Sequence, residues 1–166
     1  LWLGTYGGLD HFDPQTETFT SYRHDSEAAD SLSNDVVVAI ARDATGALWV
    51  GTLDGLNRLD EETGTFTRYG VGEDVLPNKV VRDIHLDRRG TLWVGTYGGL
   101  SRYDASQDTF ETWGADPEPN HPDRPAGLPS LFVMDIIDAP ADPDRLWVGT
   151  WGGGVSWFHR DGGVVG

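Results

Sequence analysis

The sequence predicts an all-β protein, a β-propeller segment of about three and a half four-stranded antiparallel blades, and three observations predict it. The first is repetition: Leu-Trp-Val/Leu-Gly-Thr occurs at Leu1–Thr5, Leu48–Thr52, Leu92–Thr96 and Leu146–Thr150, at spacings of 47, 44 and 54 residues. A self-similar unit of about 40–50 residues marks a repeat architecture whose units bury their apolar faces against one another. The second is an internal ruler. An aromatic recurs 17 and 20 residues after the motif tryptophan, as Phe19 and Tyr22, Phe66 and Tyr69, and Phe110 and Trp113. Length variation therefore falls between units, as it does between rigid blades. The third is composition: 22 Gly and 7 Trp against a single Met suit strands and turns, and no helix-length stretch has apolar residues at three-and-four spacing.

Taken in order, residues 1–23 supply strands b, c and d of a first blade, lettered from the inside outward. Residues 36–69 form the clearest complete unit. Val36–Ile40 is a β-branched apolar run, as expected of an inner strand buried on both faces. Asp43-Ala44-Thr45-Gly46 is a turn, because Asp bonds forward to the backbone and Gly supplies positive φ. Leu48–Val50 is the second strand, Leu56–Asp60 the third, and Thr65–Tyr69 a strictly alternating fourth with one apolar face. Residues 80–113 repeat this pattern. Residues 131–166 form an incomplete fourth blade, with a d strand beginning near Val164 and Val165; Asp138–Arg145 replaces its tight turn, and Gly152-Gly153-Gly154 carries an extra residue.

The motif has a packing logic. A tryptophan buries about 150–250 Å², so Trp2, Trp49, Trp93 and Trp147 are expected as core wedges between blades, each contributing about 4–6 kcal/mol before entropy. The glycine that follows each permits two sheets to approach where a Cβ would hold them apart.

The unit SLSNDVVVAIARDATGALWVGTLDGLNRLDEETGTFTRY, residues 31–69, resembles the two-component regulator propeller repeat, and four copies of the signature extend the resemblance over nearly the whole chain. The resemblance implies the extracytoplasmic sensor of a membrane-anchored hybrid histidine kinase, in which repeats commonly build two seven-bladed propellers and several members sense carbohydrates. It implies a periplasmic or extracellular location, further blades of the parent propeller as partners, and a homodimeric arrangement. The chain starts inside a repeat motif without a methionine, so it is expected to be an excerpt of a longer protein.

Composition narrows the partners. Net charge is −15, with Lys79 the sole lysine beside eleven arginines. No cationic cluster suits nucleic acid or an anionic lipid surface, so neither partner is expected. With no cysteine, disulfides and thiolate metal sites are excluded. No apolar run reaches the ~20 residues of a membrane span. His11, His24, His85, His121 and His159 show no metal-ligand spacing, so no metal and no cofactor is expected. Asp43-x-x-Gly46 and Asp87-x-x-Gly90 look faintly like aspartate-box turns but lack the alternating acids of a calcium loop. Nothing selects two carboxylates as a glycosidase pair, and no catalytic residue is assigned.

A ligand is expected where the b–c turns and inter-blade connections meet, at the channel mouth. The residue following each Gly-Thr is Tyr6, Leu53, Tyr97 or Trp151. Aromatic faces beside carboxylates and amides suit sugar recognition, which makes Tyr6, Tyr97, Trp151, Asp54, Asn34 and Asn78 the candidate ligand-binding residues. The bland alternative is that the rings pack on the adjacent blade and that Asn34, Asn78 and Ser130 satisfy the backbone where strand a begins. The variable connections, above all the proline-rich Asp116–Pro125, are expected as surface loops. The function expected is non-catalytic sensing of a small polar ligand, an oligosaccharide in the first instance; the alternatives are a protein-binding scaffold and a propeller lyase or glycoside hydrolase.

Overall fold

Alternating strands joined by short Gly- and Asp-containing turns can pair only with their sequence neighbours, and in the computed structural model they do so throughout. The structure describes residues 1–73, 75–115 and 127–162. Every regular element among them is a strand. The first sheet is β1 (Trp2–Thr5), β2 (Gly8–Asp13) and β3 (Thr18–Tyr22). The second is β4 (Val37–Arg42), β5 (Leu48–Thr52), β6 (Gly55–Asp60) and β7 (Thr65–Tyr69). The third is β8 (Val81–Leu86), β9 (Leu92–Thr96), β10 (Gly99–Asp104) and β11 (Thr109–Trp113), and the fourth is β12 (Val133–Asp138), β13 (Arg145–Thr150) and β14 (Gly154–His159). Each sheet is an antiparallel meander in chain order. The inner strands β4, β8 and β12 lie against one another in turn, and β1 lies against β4. This is a partial β-propeller. The stretch Asp116–Pro125 and the strand expected near Val164 and Val165 lie outside the described residues.

Three apolar cores separate the four sheets, each built around one sheet's b and c strands and the next sheet's inner strand, with strand-d rings and further residues of the next sheet joining in. Between the second and third sheets, Trp49, Leu56 and Tyr69 meet Val81, Ile84 and Val94; between the third and fourth, Trp93 and Leu100 meet Val133, Ile136 and Phe158. Leu32, Leu76 and Leu128, each just before an inner strand, are wholly buried in the three cores.

The motif glycines explain the sheet spacing. A Cβ on Gly4, Gly51 or Gly95 would stand 2.6, 2.5 or 2.7 Å from a methyl of Val37, Val81 or Val133, the first residue of the next inner strand. No real Cβ contact is that short, so only glycine admits this packing. Gly149 is different: its nearest neighbour would be Asp135 of its own sheet, at 3.7 Å. Trp49 and Trp93 are fully buried, whereas Trp147 is half-buried because no sheet packs on its face of the fourth sheet among the described residues; Trp2 is half-buried against the core between the first and second sheets.

Each wedge tryptophan faces a fixed cross-strand partner on strand c: His11, Arg58, Arg102 and Trp157. Opposed side chains in a sheet stand close enough to stack. Trp2 stacks on His11 at 4.4 Å, the Arg58 guanidinium lies 5.5 Å from the Trp49 ring, and Arg102 lies 5.5 Å from Trp113. Arg58 caps its wedge tryptophan through the ring quadrupole, and Arg102 does the same for Trp113 of strand d.

The Asp-x-x-Gly turns do more than reverse the chain. Asp43 accepts from the backbone amides of Thr45 and Ala47 with one oxygen and from the Trp49 indole, at 2.7 Å, with the other. Asp87 repeats this with the amides of Arg89 and Thr91 and the Trp93 indole at 2.9 Å. Burial alone would raise the Asp43 carboxyl, but the hydrogen bonds from Thr45, Trp49 and the backbone outweigh it and hold the carboxyl below its ordinary value. In the fourth sheet the longer turn has no such aspartate, and the Arg160 side chain takes over. Buried at the end of β14, it reaches Asp87 and Asp138 and donates to the Pro143 carbonyl at 2.9 Å. One buried guanidinium thereby ties the third sheet to the fourth.

The expectation that the inner strands are buried on both faces holds only in part. Each carries a register shift, at Val37/Ala39, Val81/Asp83 and Val133/Asp135, and most residues beyond it are half-buried. A β-bulge breaks strict alternation, and an open arc leaves the channel side of these strands wet.

Two outcomes follow for stability. Gly51→Ala and Gly95→Ala each lower the unfolding free energy by about 1–3 kcal/mol, the usual cost of overpacking, while Gly149→Ala changes it by less than about 0.5 kcal/mol; urea titration followed by tryptophan fluorescence measures this, and equal effects at all three positions would contradict the packing account. Because the Asp43 carboxyl titrates lower when folded, its stabilisation is complete above the unfolded carboxylate range near ~4 and disappears as pH falls through the folded value. Asp43→Asn is therefore less stable than the parent chain at pH 7, by about 1–3 kcal/mol for the lost charge-assisted bond, and the difference narrows in titrations at progressively lower pH.

Candidate functional site

The b–c turns are held open by the last residue of the motif. Thr5, Thr52, Thr96 and Thr150 each donate a hydroxyl hydrogen bond to the carbonyl of the glycine that begins strand c, Gly8, Gly55, Gly99 or Gly154, at 2.9–3.1 Å. The same hydroxyl oxygen accepts a backbone amide of the turn from Gly7, Asp54 or Gly98. The clamp accommodates the extra glycine of the fourth sheet, where Gly152 and Gly154 both take positive φ, 77° and 79°. A second tie fixes each turn to the strand-a entry: the amides of Leu53, Tyr97 and Trp151 donate to the carbonyls of Val36, Val80 and Phe132. A rigid turn thus presents one variable side chain per sheet.

Two of these side chains come together. Tyr97 and Trp151, on adjacent sheets, line a shallow cleft of about 200 Å³ with Phe132. Tyr97 and Phe132 meet edge to face with ring centroids 5.1 Å apart, and Trp151 is 68% exposed, so its ring is open to solvent. Most residues flanking the rings are small or glycine, and Gly98 and Gly153 are pressed against Pro77 and Pro129, where a Cβ would stand 2.9 Å away. Tyr6 is exposed on the first sheet and does not line this cleft, and Leu53 is the aliphatic member of the set.

The polar candidates are engaged locally. The Asn34 and Asn78 side-chain oxygens accept the amides of Val36 and Val80, each at 2.9 Å, and the Ser130 hydroxyl accepts that of Phe132 at 3.3 Å. These bonds set the direction in which the chain enters the inner strand. Asp54 pairs with Lys79 at 3.1 Å across the turn and the next strand-a entry; both side chains are exposed, so the pair contributes little stability.

Phe132 and Arg82 are the cleft residues that motif counting misses. Phe132 occupies the position held by Val36 and Val80 in the other repeats, and Arg82 the bulge position held by Val38 and Met134. In both columns one side chain departs from an otherwise apolar, mostly aliphatic set. The Arg82 guanidinium lies 6.0 Å from the Tyr97 ring centroid. Asp83, next to it, has its carboxyl raised by burial, with one oxygen on the Ile84 amide and the other on that of Ile136 in the fourth sheet, at 2.9 and 2.8 Å. Among the described residues no group of three or more His, Asp or Glu side chains is arranged to hold a metal ion, and no helix is long and apolar enough to cross a membrane.

No curated protein sequence matches the chain significantly. Among solved structures it is similar to the extracellular domain of a B. thetaiotaomicron protein named as a hybrid two component system, with 20% identity and a TM-score of 0.62 over 96% of this chain and 27% of that one. It is also similar to virginiamycin B lyase from Staphylococcus aureus, with 17% identity and a TM-score of 0.66 over 99% of this chain and 50% of the lyase. The chain thus spans about a quarter of the first structure and half of the second, and at these identities the likeness is one of fold. Two segments, residues 31–54 and 75–98, match the sequence family described as two component regulator propeller. Both begin in the connection before an inner strand and end within a b–c turn, the second just past Tyr97, so the chain carries two segments that match the two component regulator propeller repeat.

Proposed function

We propose that this chain is a non-catalytic, extracytoplasmic ligand-sensing segment of a two-component signalling receptor and that its ligand is a saccharide bound at the b–c face. The observation that carries the proposal is the cleft of Tyr97, Phe132 and Trp151: three rings from two sheets, on turns braced by threonine clamps, with one indole face open to solvent. A pyranose presents an apolar C–H face to such rings and leaves its hydroxyls to polar groups around the rim. The cleft is smaller than the ~300 Å³ at which pockets for drug-sized ligands begin, so it suits one sugar ring of a longer ligand. The two matched repeat segments support the sensor role, and the fold likeness to an extracellular domain supports the compartment.

Signalling by such a segment requires differential binding. A ligand held by Tyr97 and Trp151 favours one relative arrangement of the propellers in a receptor dimer, and the output shifts with that arrangement. Calorimetric titration of the chain with saccharides tests the proposal. Trp151→Ala and Tyr97→Ala are each expected to weaken binding at least about tenfold, the loss of roughly 1.4 kcal/mol of stacking, while Tyr6→Ala leaves it unchanged. Saccharide binding indifferent to Trp151 and Tyr97 would overturn the proposed site, and turnover of the saccharide would overturn the non-catalytic assignment.

A further inference from the structure

The chain is strongly acidic, and its cations are almost all spoken for. Of the ten arginines among the described residues, eight stand within 4 Å of a carboxylate. Arg68 is held by the backbone carbonyls of Ala28, Ser31 and Leu32, and Lys79 pairs with Asp54. Arg82 is the exception among the described residues. Among the described residues no carboxylate lies within ion-pair distance of it, and its Nε is buried without a hydrogen-bond partner there. With 27 acidic residues against 12 basic ones, a guanidinium left unpaired by chance is uncommon, and a buried donor without a partner carries a cost of about 1–3 kcal/mol.

Its position gives that cost a use. Arg82 sits at the bulge of the inner strand β8, where the register shift between Val81 and Asp83 gives it a place outside the regular ladder. Bulges redirect side chains beside functional sites. The guanidinium stands over Tyr97, one of the three rings of the cleft. Asp83, adjacent in sequence, makes no ion pair with it, and its two oxygens accept from the backbone amides of Ile84 and Ile136. The site therefore combines an aromatic platform with a guanidinium that no described carboxylate pairs, and a planar guanidinium matches a carboxylate or sulfate in a two-pronged hydrogen-bonded geometry.

We infer that Arg82 binds an anionic group of the saccharide whose ring lies in the Tyr97–Phe132–Trp151 cleft, which makes the ligand an acidic saccharide, bearing a carboxylate or a sulfate, in place of a neutral one. This rests on the saccharide reading proposed above. It accounts for a cation that pairs with no carboxylate among the described residues in a chain of net charge −15: long-range repulsion of an acidic ligand is offset locally by that charge.

The test is a glycan array with three arms, uronate-containing, sulfated and neutral oligosaccharides, probed with the chain and with Arg82→Gln, Arg82→Lys and Trp151→Ala, followed by calorimetry on the best binder of each arm. The parent chain is expected to prefer one acidic arm over the neutral arm at least about tenfold, as one charge-assisted hydrogen-bonded pair provides. Arg82→Gln is expected to abolish that preference with a melting temperature no lower than the parent's, since no described protein partner loses a hydrogen bond, and Arg82→Lys to retain part of it as a point charge. Preference for the uronate or the sulfated arm identifies which anion is read. Binding of neutral and acidic glycans alike, lost in Trp151→Ala and indifferent to Arg82→Gln, would overturn this inference while leaving the saccharide site standing. Retention of no glycan by the parent chain would overturn the saccharide reading and this inference with it.

Discussion

The methyl of the first inner-strand valine fills the space that the preceding sheet's motif glycine leaves empty, and the separation of the sheets depends on that contact. At Gly4–Val37, Gly51–Val81 and Gly95–Val133 the backbone of one sheet comes within reach of the next only because no Cβ intervenes. Close approach seals the inner edge of each interface, and the wedge tryptophan then fills the wider space further out. Glycine and tryptophan in one five-residue motif therefore do opposite jobs, narrow at the axis and broad at the rim. That taper turns stacked sheets into an arc.

The polar ties act on the same wedge. The Asp43 and Asp87 carboxylates join the a–b turn to the indole of the tryptophan six residues on, so turn and wedge cannot shift independently. At the third interface the buried Arg160 adds ties to Asp87 and Asp138. A buried charge network tolerates no lost partner, which makes this interface the least forgiving of the three. It is also the interface that carries the aromatic cleft on its b–c face, so the two sheets presenting Tyr97 and Trp151 are joined by an ion-pair network as well as by packing. Preorganisation of that kind lowers the ordering cost of binding.

Much of this was legible in the sequence, because a repeat prints its structural residues several times. Strand order, turn positions, the wedge role of Trp49 and Trp93 and the need for glycine beside them all follow from periodicity and size. Other features depend on contacts through space between units. The second function of Asp43 and Asp87 requires knowing that the indole folds back toward the turn. Arg160 substitutes for an aspartate from a different strand, at a distance of 73 residues from its partner Asp87. For the cleft, the residues after Gly-Thr were visible as places where repetition breaks, but that Tyr97 and Trp151 meet while Tyr6 stands apart follows from the geometry of adjacent sheets. Phe132 and Arg82 had a signal of the same kind, a lone aromatic and a lone charge in otherwise apolar, aliphatic columns, which becomes readable once the strand-a entries are aligned.

The account holds that a scaffold made uniform by its repeats confines recognition to the few positions where repetition fails on one face. A crystal structure of the chain with a bound saccharide tests this most directly. The account predicts a sugar ring stacked against Trp151 and Tyr97 with an acidic substituent at Arg82; a saccharide seated instead on the opposite face, in the groove beside the c–d hairpin at Asp104–Thr109, would contradict it.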